Sequence, residues 1–143
     1  MLLLGFAFIF YNTIQQGSTV KLQEQIAEAR SLRISEEALL LPELSCSNAG
    51  IVELNCLDML KSPGFITLVK SGLDEKAEYF TIFESSEVVV HQVWPVKQTI
   101  VLYNNTPAHY RSKTTFSAPL LLKYPLQNKN AFGVMDVTTY AET

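Results

Sequence analysis

Charge is missing from the start of this 143-residue chain: the first cation is Lys21, and no acid precedes it. A secretory signal would set basic residues ahead of the apolar run Met1–Tyr11 and a small-x-small step behind it, and neither occurs, so the run is expected to stay in the working protein. Basic residues are scarce elsewhere too. Lys and Arg total 11 against 14 acids, a net charge of −3, and they form no cluster, so the chain has no electrostatic footprint for nucleic acid.

Groups able to do chemistry are equally few. The aspartates are Asp58, Asp74 and Asp136, the histidines His91 and His109, and the cysteines Cys46 and Cys56. They build no nucleophile elbow, no glycine loop for phosphate and no metal-spaced cluster. A zinc site combining both cysteines with both histidines matches no ligand spacing. No enzyme, cofactor or metal is therefore expected, and a surface hydrolase using His91 or His109 is the remotest alternative.

What the chain has in abundance is apolar surface with nowhere evident to go. Met1–Tyr11 would cover about 16 Å as a helix, roughly half of a hydrocarbon core of about 30 Å. Its burial calls for a membrane or for many copies pooling their apolar ends. Beyond Tyr11 the pattern turns amphipathic, with Ile14, Ser18, Leu22, Ile26, Ala29 and Arg33 at steps of three or four. Gly17 is the expected weak point of that helix. Residues 1–34 thus read as a projecting helical arm and residues 35–143 as a globular head. Ser35 opens a helix N-cap signature, and the short turn it begins is expected to close at Pro42.

The head reads as strand-rich. Six segments carry Val, Ile, Thr and aromatic residues between turn signals: Phe65–Lys70, Glu78–Phe83, Glu87–Trp94, Gln98–Tyr103, Thr114–Tyr124 and Phe132–Tyr140. Leu57–Lys61 is expected to form a single helical turn that ends at the breaker Ser62-Pro63-Gly64. The fold class expected is α+β, a long N-terminal hydrophobic and amphipathic helix followed by a small antiparallel β-sandwich-like head. Pro119 lacks an N–H and belongs on a strand edge or at a bulge.

Cys46 and Cys56 lie close enough in sequence to close a small loop, and a domain outside the membrane would oxidise them. Buried free thiols are the alternative. Asn104-Asn105-Thr106 is a sequon in a turn, so Asn104 is a candidate for N-glycosylation.

The opening Met1-Leu-Leu-Leu-Gly-Phe-Ala-Phe-Ile-Phe10 resembles the hydrophobic helix of archaeal type IV pilin-like proteins of the class III signal type. Asn55–Lys61 and Phe132–Tyr140 resemble segments of small membrane-anchored surface proteins of that kind. The Gln-x-Ser-x-Glu-Phe motif that precedes the helix in the family is not present in this sequence. The resemblance implies a structural subunit of a pilus-like surface filament, held in the membrane before assembly and then forming a homopolymer, its head outside the cell and free to meet an adhesion target. Leu3, Leu4, Phe6, Ala7, Phe8, Ile9, Phe10 and Ile14 would be its assembly residues. The alternative is a single-pass membrane-anchored extracellular β domain that binds a surface partner and never polymerises.

Overall fold

The structure is a computed structural model that describes residues 2–71 and 73–141, with side chains for residues 21–70 and 78–141. Helix α1 (Leu2–Leu40) leads into a hairpin of β1 (Ser45–Asn48) and β2 (Ile51–Asp58). Helices α2 (Ser62–Ser71) and α3 (Leu73–Phe83) follow. The chain finishes with β3 (Ser86–Trp94), β4 (Gln98–Asn104), β5 (Ser112–Tyr124), a 3-10 turn at Pro125–Gln127, and β6 (Lys129–Ala141).

All six strands join one sheet in the order β1-β2-β5-β6-β3-β4. Its pairs are antiparallel except β2 with β5, which run parallel through Cys56–Asp58 against Leu121–Lys123. The β5–β6 hairpin is the longest ladder, paired without a shift from Ser112↔Ala141 to Tyr124↔Lys129. Asn128, at φ 49°, takes the left-handed conformation that lets the turn reverse, which asparagine tolerates better than most residues.

The helices cover one face of this sheet. Strand alternation sends Val88, Val90, Leu120, Leu122, Met135 and Val137 to that face, where they form one core with Ile34, Ala38 and Leu39 of α1. Phe65 and Val69 of α2, and Tyr79 and Phe83 of α3, add an aromatic layer. The Phe65 ring meets Tyr79 edge-on at 5.2 Å, and Phe83 stacks on Tyr103 of β4 at 4.9 Å.

The expected architecture is corrected on two points. First, the head is not a sandwich but a single sheet with helices on one side. Phe65–Lys70 and Glu78–Phe83, read as strands, are helices α2 and α3. Their burial follows the helical step of four, Phe65 with Val69 and Tyr79 with Phe83, which overrides their strand-like composition. Second, α1 does not end at residue 34 as an arm separate from the head: it runs on to Leu40, and its end from Ser31 is part of the head, while residues 21–29 are exposed or half-buried. Ser31, Ile34, Ser35, Ala38 and Leu39 are buried in the head, and among the described residues no helix is long and apolar enough to cross a membrane.

Smaller expectations shift as well. The cap signature at Ser35 starts nothing, because α1 runs through it and stops two residues before Pro42. Ser62-Pro63-Gly64 opens α2 instead of breaking the chain, since proline's fixed φ and missing N–H suit a first helical turn. Leu57 and Asp58 belong to β2 and not to a helical turn. Gly17 lies in the part of α1 whose side chains are not described.

Candidate assembly surface

Among the residues whose side chains are described, helix α1 is fastened to the head over its last turns. Beyond its core residues, Arg30 and Arg33 both reach Glu84 at the end of α3, Arg33 Nη2 at 2.6 Å. Arg33 also pairs with Glu37 at 3.2 Å. After the helix, Lys61 Nζ donates to the carbonyls of Pro42 at 3.0 Å and Ser45 at 2.9 Å, holding the reversal into β1.

The opposite side of α1 has no such cover. Leu22 is 56% exposed, Ile26 59% and Leu40 57%. At about 100° per residue, Leu22, Ile26, Ala29 and Leu40 fall within about 60° of one another, facing away from Ser31, Ile34 and Ala38. An apolar stripe therefore runs along the solvent side of the helix and points toward its apolar start. The side chains proposed as assembly residues from sequence, Leu3, Leu4, Phe6, Ala7, Phe8, Ile9, Phe10 and Ile14, lie outside the described ones.

Cys46 and Cys56 are bonded, with Cα atoms 5.4 Å apart and both side chains buried. The bond ties β1 to β2 across a stretch that sequence periodicity leaves unassigned. Glu53 brings a carboxylate to within 4.8 Å of the two sulfurs. The sulfurs are consumed in the disulfide, and Glu53 is engaged by Lys123 Nζ at 3.1 Å, so this trio is not free to hold a metal. Neither histidine is part of it.

His91 sits on the uncovered face of the sheet within a row of polar side chains. Its Nδ1 lies 3.1 Å from Thr99 Oγ1 and its Nε2 3.3 Å from Asp136 Oδ2, while Ser117 Oγ donates to Asp136 Oδ1 at 2.6 Å. The order hydroxyl, imidazole, carboxylate is the one a nucleophile with its base would need. The hydroxyl next to His91 is nevertheless a threonine's, and the serine is bonded to the carboxylate instead. None of the four lines the grooves between α1 and β5. What the row does is tie β4, β3, β6 and β5 together across their solvent face, as cross-strand pairs do.

Asn104 ends β4 in an exposed position. Its Oδ1 accepts from the Thr106 N–H at 3.1 Å and from Thr106 Oγ1 at 3.0 Å, and its Nδ2 donates to Glu87 Oε1 at 3.2 Å. The first and last residues of the sequon thus bond to each other in an accessible turn. Nearby, burial pushes the Tyr103 phenol above its ordinary value of 10.0, against a smaller lowering by its contact with Asn105. Its hydroxyl donates to the Glu84 carbonyl at 3.2 Å.

Compared with protein-family models, with curated proteins and with solved structures, the chain matches none.

Proposed function

We propose that the chain is a structural subunit of a pilus-like surface filament that polymerises through α1. The observation that carries this reading is the exposed pair Leu22 and Ile26 on the same helix whose later turns, from Ser31 on, are packed into the core. Completing the burial of each of these side chains is worth on the order of 1 kcal/mol. Ahead of Lys21 the sequence carries no charge as far back as Met1. The disulfide suits a head outside the cytoplasm, and a sequon at an exposed turn offers Asn104 as a glycan site there. No catalytic role is assigned to His91 or His109.

The test is charge insertion into the helix. Ala7→Asp, and separately the pair Leu22→Glu with Ile26→Glu, would force unpaired carboxylates among neighbouring helices at a cost of several kcal/mol per ion. Both variants are expected to keep the head folded by circular dichroism and to lose sheared filaments under electron microscopy. If wild-type cells yield no filaments and Ala7→Asp merely moves the protein from the membrane pool to the soluble pool, the chain is a membrane-anchored monomer and the filament reading falls.

A further inference from the structure

The sheet contains an edge that its own strands leave open. Strands β2 and β5 are paired only where Cys56–Asp58 meets Leu121–Lys123. Asn55, immediately before, has φ 54°, a left-handed residue that turns β2 off the line of β5. The disulfide at Cys56 then holds β2 against β1. From Ser112 to Leu120, β5 is bonded to β6 on one side and, among the described residues, to no strand on the other.

The direction of the free groups follows from one bond. Met59 N–H donates to the Lys123 carbonyl at 2.9 Å, so Lys123 points its peptide groups toward β2. Since β5 carries no register shift against β6, alternation sends the groups of Ser117, Thr115 and Lys113 to the same open side. Pro119 shares that parity, so its missing N–H costs the sheet nothing and closes one end of the edge to a donor-seeking strand.

Beside the edge lies a groove between α1 and β5. It has two adjoining parts of about 400 Å³ each that share Leu32 and Phe116, and Leu39, Leu54 and Ala118 complete its apolar wall. The charged side chains of its lining are Glu28 and Glu36, both acidic.

We propose that this edge and groove receive an extended peptide segment of a partner protein, added as a strand beside β5, with apolar side chains at alternate positions and a lysine or arginine among them. The open N–H and C=O groups of Lys113, Thr115 and Ser117 select an extended backbone. Alternation drops every second side chain into the apolar wall, and the two glutamates select a cation over an anion. The groove shares Ala29 and Leu40 with the exposed stripe of α1, whereas the open backbone groups belong to β5 alone, so the site is probed on unassembled chain.

The probe is a blocked synthetic peptide as long as the open edge, with valine at alternate positions, lysine at its centre in that same series, and threonine between. Added to the full chain, it is expected to slow amide hydrogen exchange at Lys113, Thr115 and Ser117 and not at Thr114 or Phe116, whose groups already face β6. Ser117→Pro removes one free N–H without touching the β6 ladder. It should weaken binding by about tenfold, the loss of one hydrogen bond of roughly 1.4 kcal/mol, whereas Ser117→Ala, which also loses the bond to Asp136 but keeps the N–H, should bind as the wild type does. A peptide with glutamate at its centre should bind more weakly, and the pair Glu28→Lys with Glu36→Lys should reverse that preference. Absence of protection at the three amides, or equal binding by Ser117→Pro, overturns the proposal. Protection that appears without peptide and grows with protein concentration also overturns it, by assigning the edge to a second copy of the chain.

Discussion

Removing the disulfide by the paired substitution Cys46→Ala and Cys56→Ala should destabilise the head by an amount that loop size sets. The bond spans a sequence separation of 10. On the chain-entropy estimate, a loop of that size removes about 9 cal/mol/K from the unfolded ensemble, or about 2.7 kcal/mol near room temperature. Alanine avoids adding a polar group at two buried positions, so the loss reflects the cross-link and a little packing. With a urea slope of about 1–3 kcal/mol/M, the midpoint should fall by about 0.9–2.7 M. The assay is equilibrium urea unfolding by circular dichroism, run on the oxidised protein, on the same protein under reducing agent, and on the double variant. The last two should coincide. If both unfold within about 0.5 kcal/mol of the oxidised chain, the β1–β2 hairpin is ordered without the bond, and the cross-link is not what holds β2 in its bent course.

Three other outcomes follow from the core and its ionisation. Phe83→Ala empties the centre of the aromatic layer between α3 and β4 and should cost about 3–5 kcal/mol by the same urea assay. Gly133→Ala would bring a new Cβ within 3.0 Å of Leu122 Cδ1 and 3.1 Å of the His91 carbonyl, so a loss of about 1–3 kcal/mol is expected from overpacking between β5 and β3. Burial raises the Tyr103 phenol in the folded state, so its contribution to stability is complete below the unfolded value of 10.0 and is lost as pH climbs through the folded one. Urea midpoints should begin to drop as pH nears 10 and go on dropping above it, and Tyr103→Phe should flatten that decline; an identical decline in the variant would assign it to other groups.

Strands β3 to β6 were readable from sequence because their alternation is regular. Val88 and Val90 face in while Glu87 and His91 face out, and the turn residues Asn104 and Asn128 stand where the strands end. Pro119 was readable as an edge residue, although nothing local said that the edge would be open. That depended on Asn55, whose left-handed backbone falls inside a strand, where an asparagine is not read as a turn. The segments Phe65–Lys70 and Glu78–Phe83 misled because their β-branched and aromatic content spoke for strand, while the informative signal was the spacing of Phe65 to Val69 and of Tyr79 to Phe83. Burial of Ser31 and Ser35 hid the depth to which α1 enters the head, since serines on a helix read as solvent-facing. The hairpin of β1 and β2 was invisible for a different reason: its outer residues Ile51, Val52 and Leu54 are exposed, so the usual link between apolar side chains and an inward face is broken.

The short parallel seam between β2 and β5 also fixes where the molecule should first come apart. The remaining ladders join strands close in sequence or run many residues long, whereas this seam couples residue 56 to residue 121 through three paired positions and the Lys123–Glu53 ion pair. Contacts that distant in sequence form late in folding, because a long loop must close before they return anything. Read in reverse, the β1–β2 hairpin is a leaf on a short hinge. Its amides should exchange through a local opening well below the free energy of global unfolding, while those of the β5–β6 ladder exchange only with the whole domain.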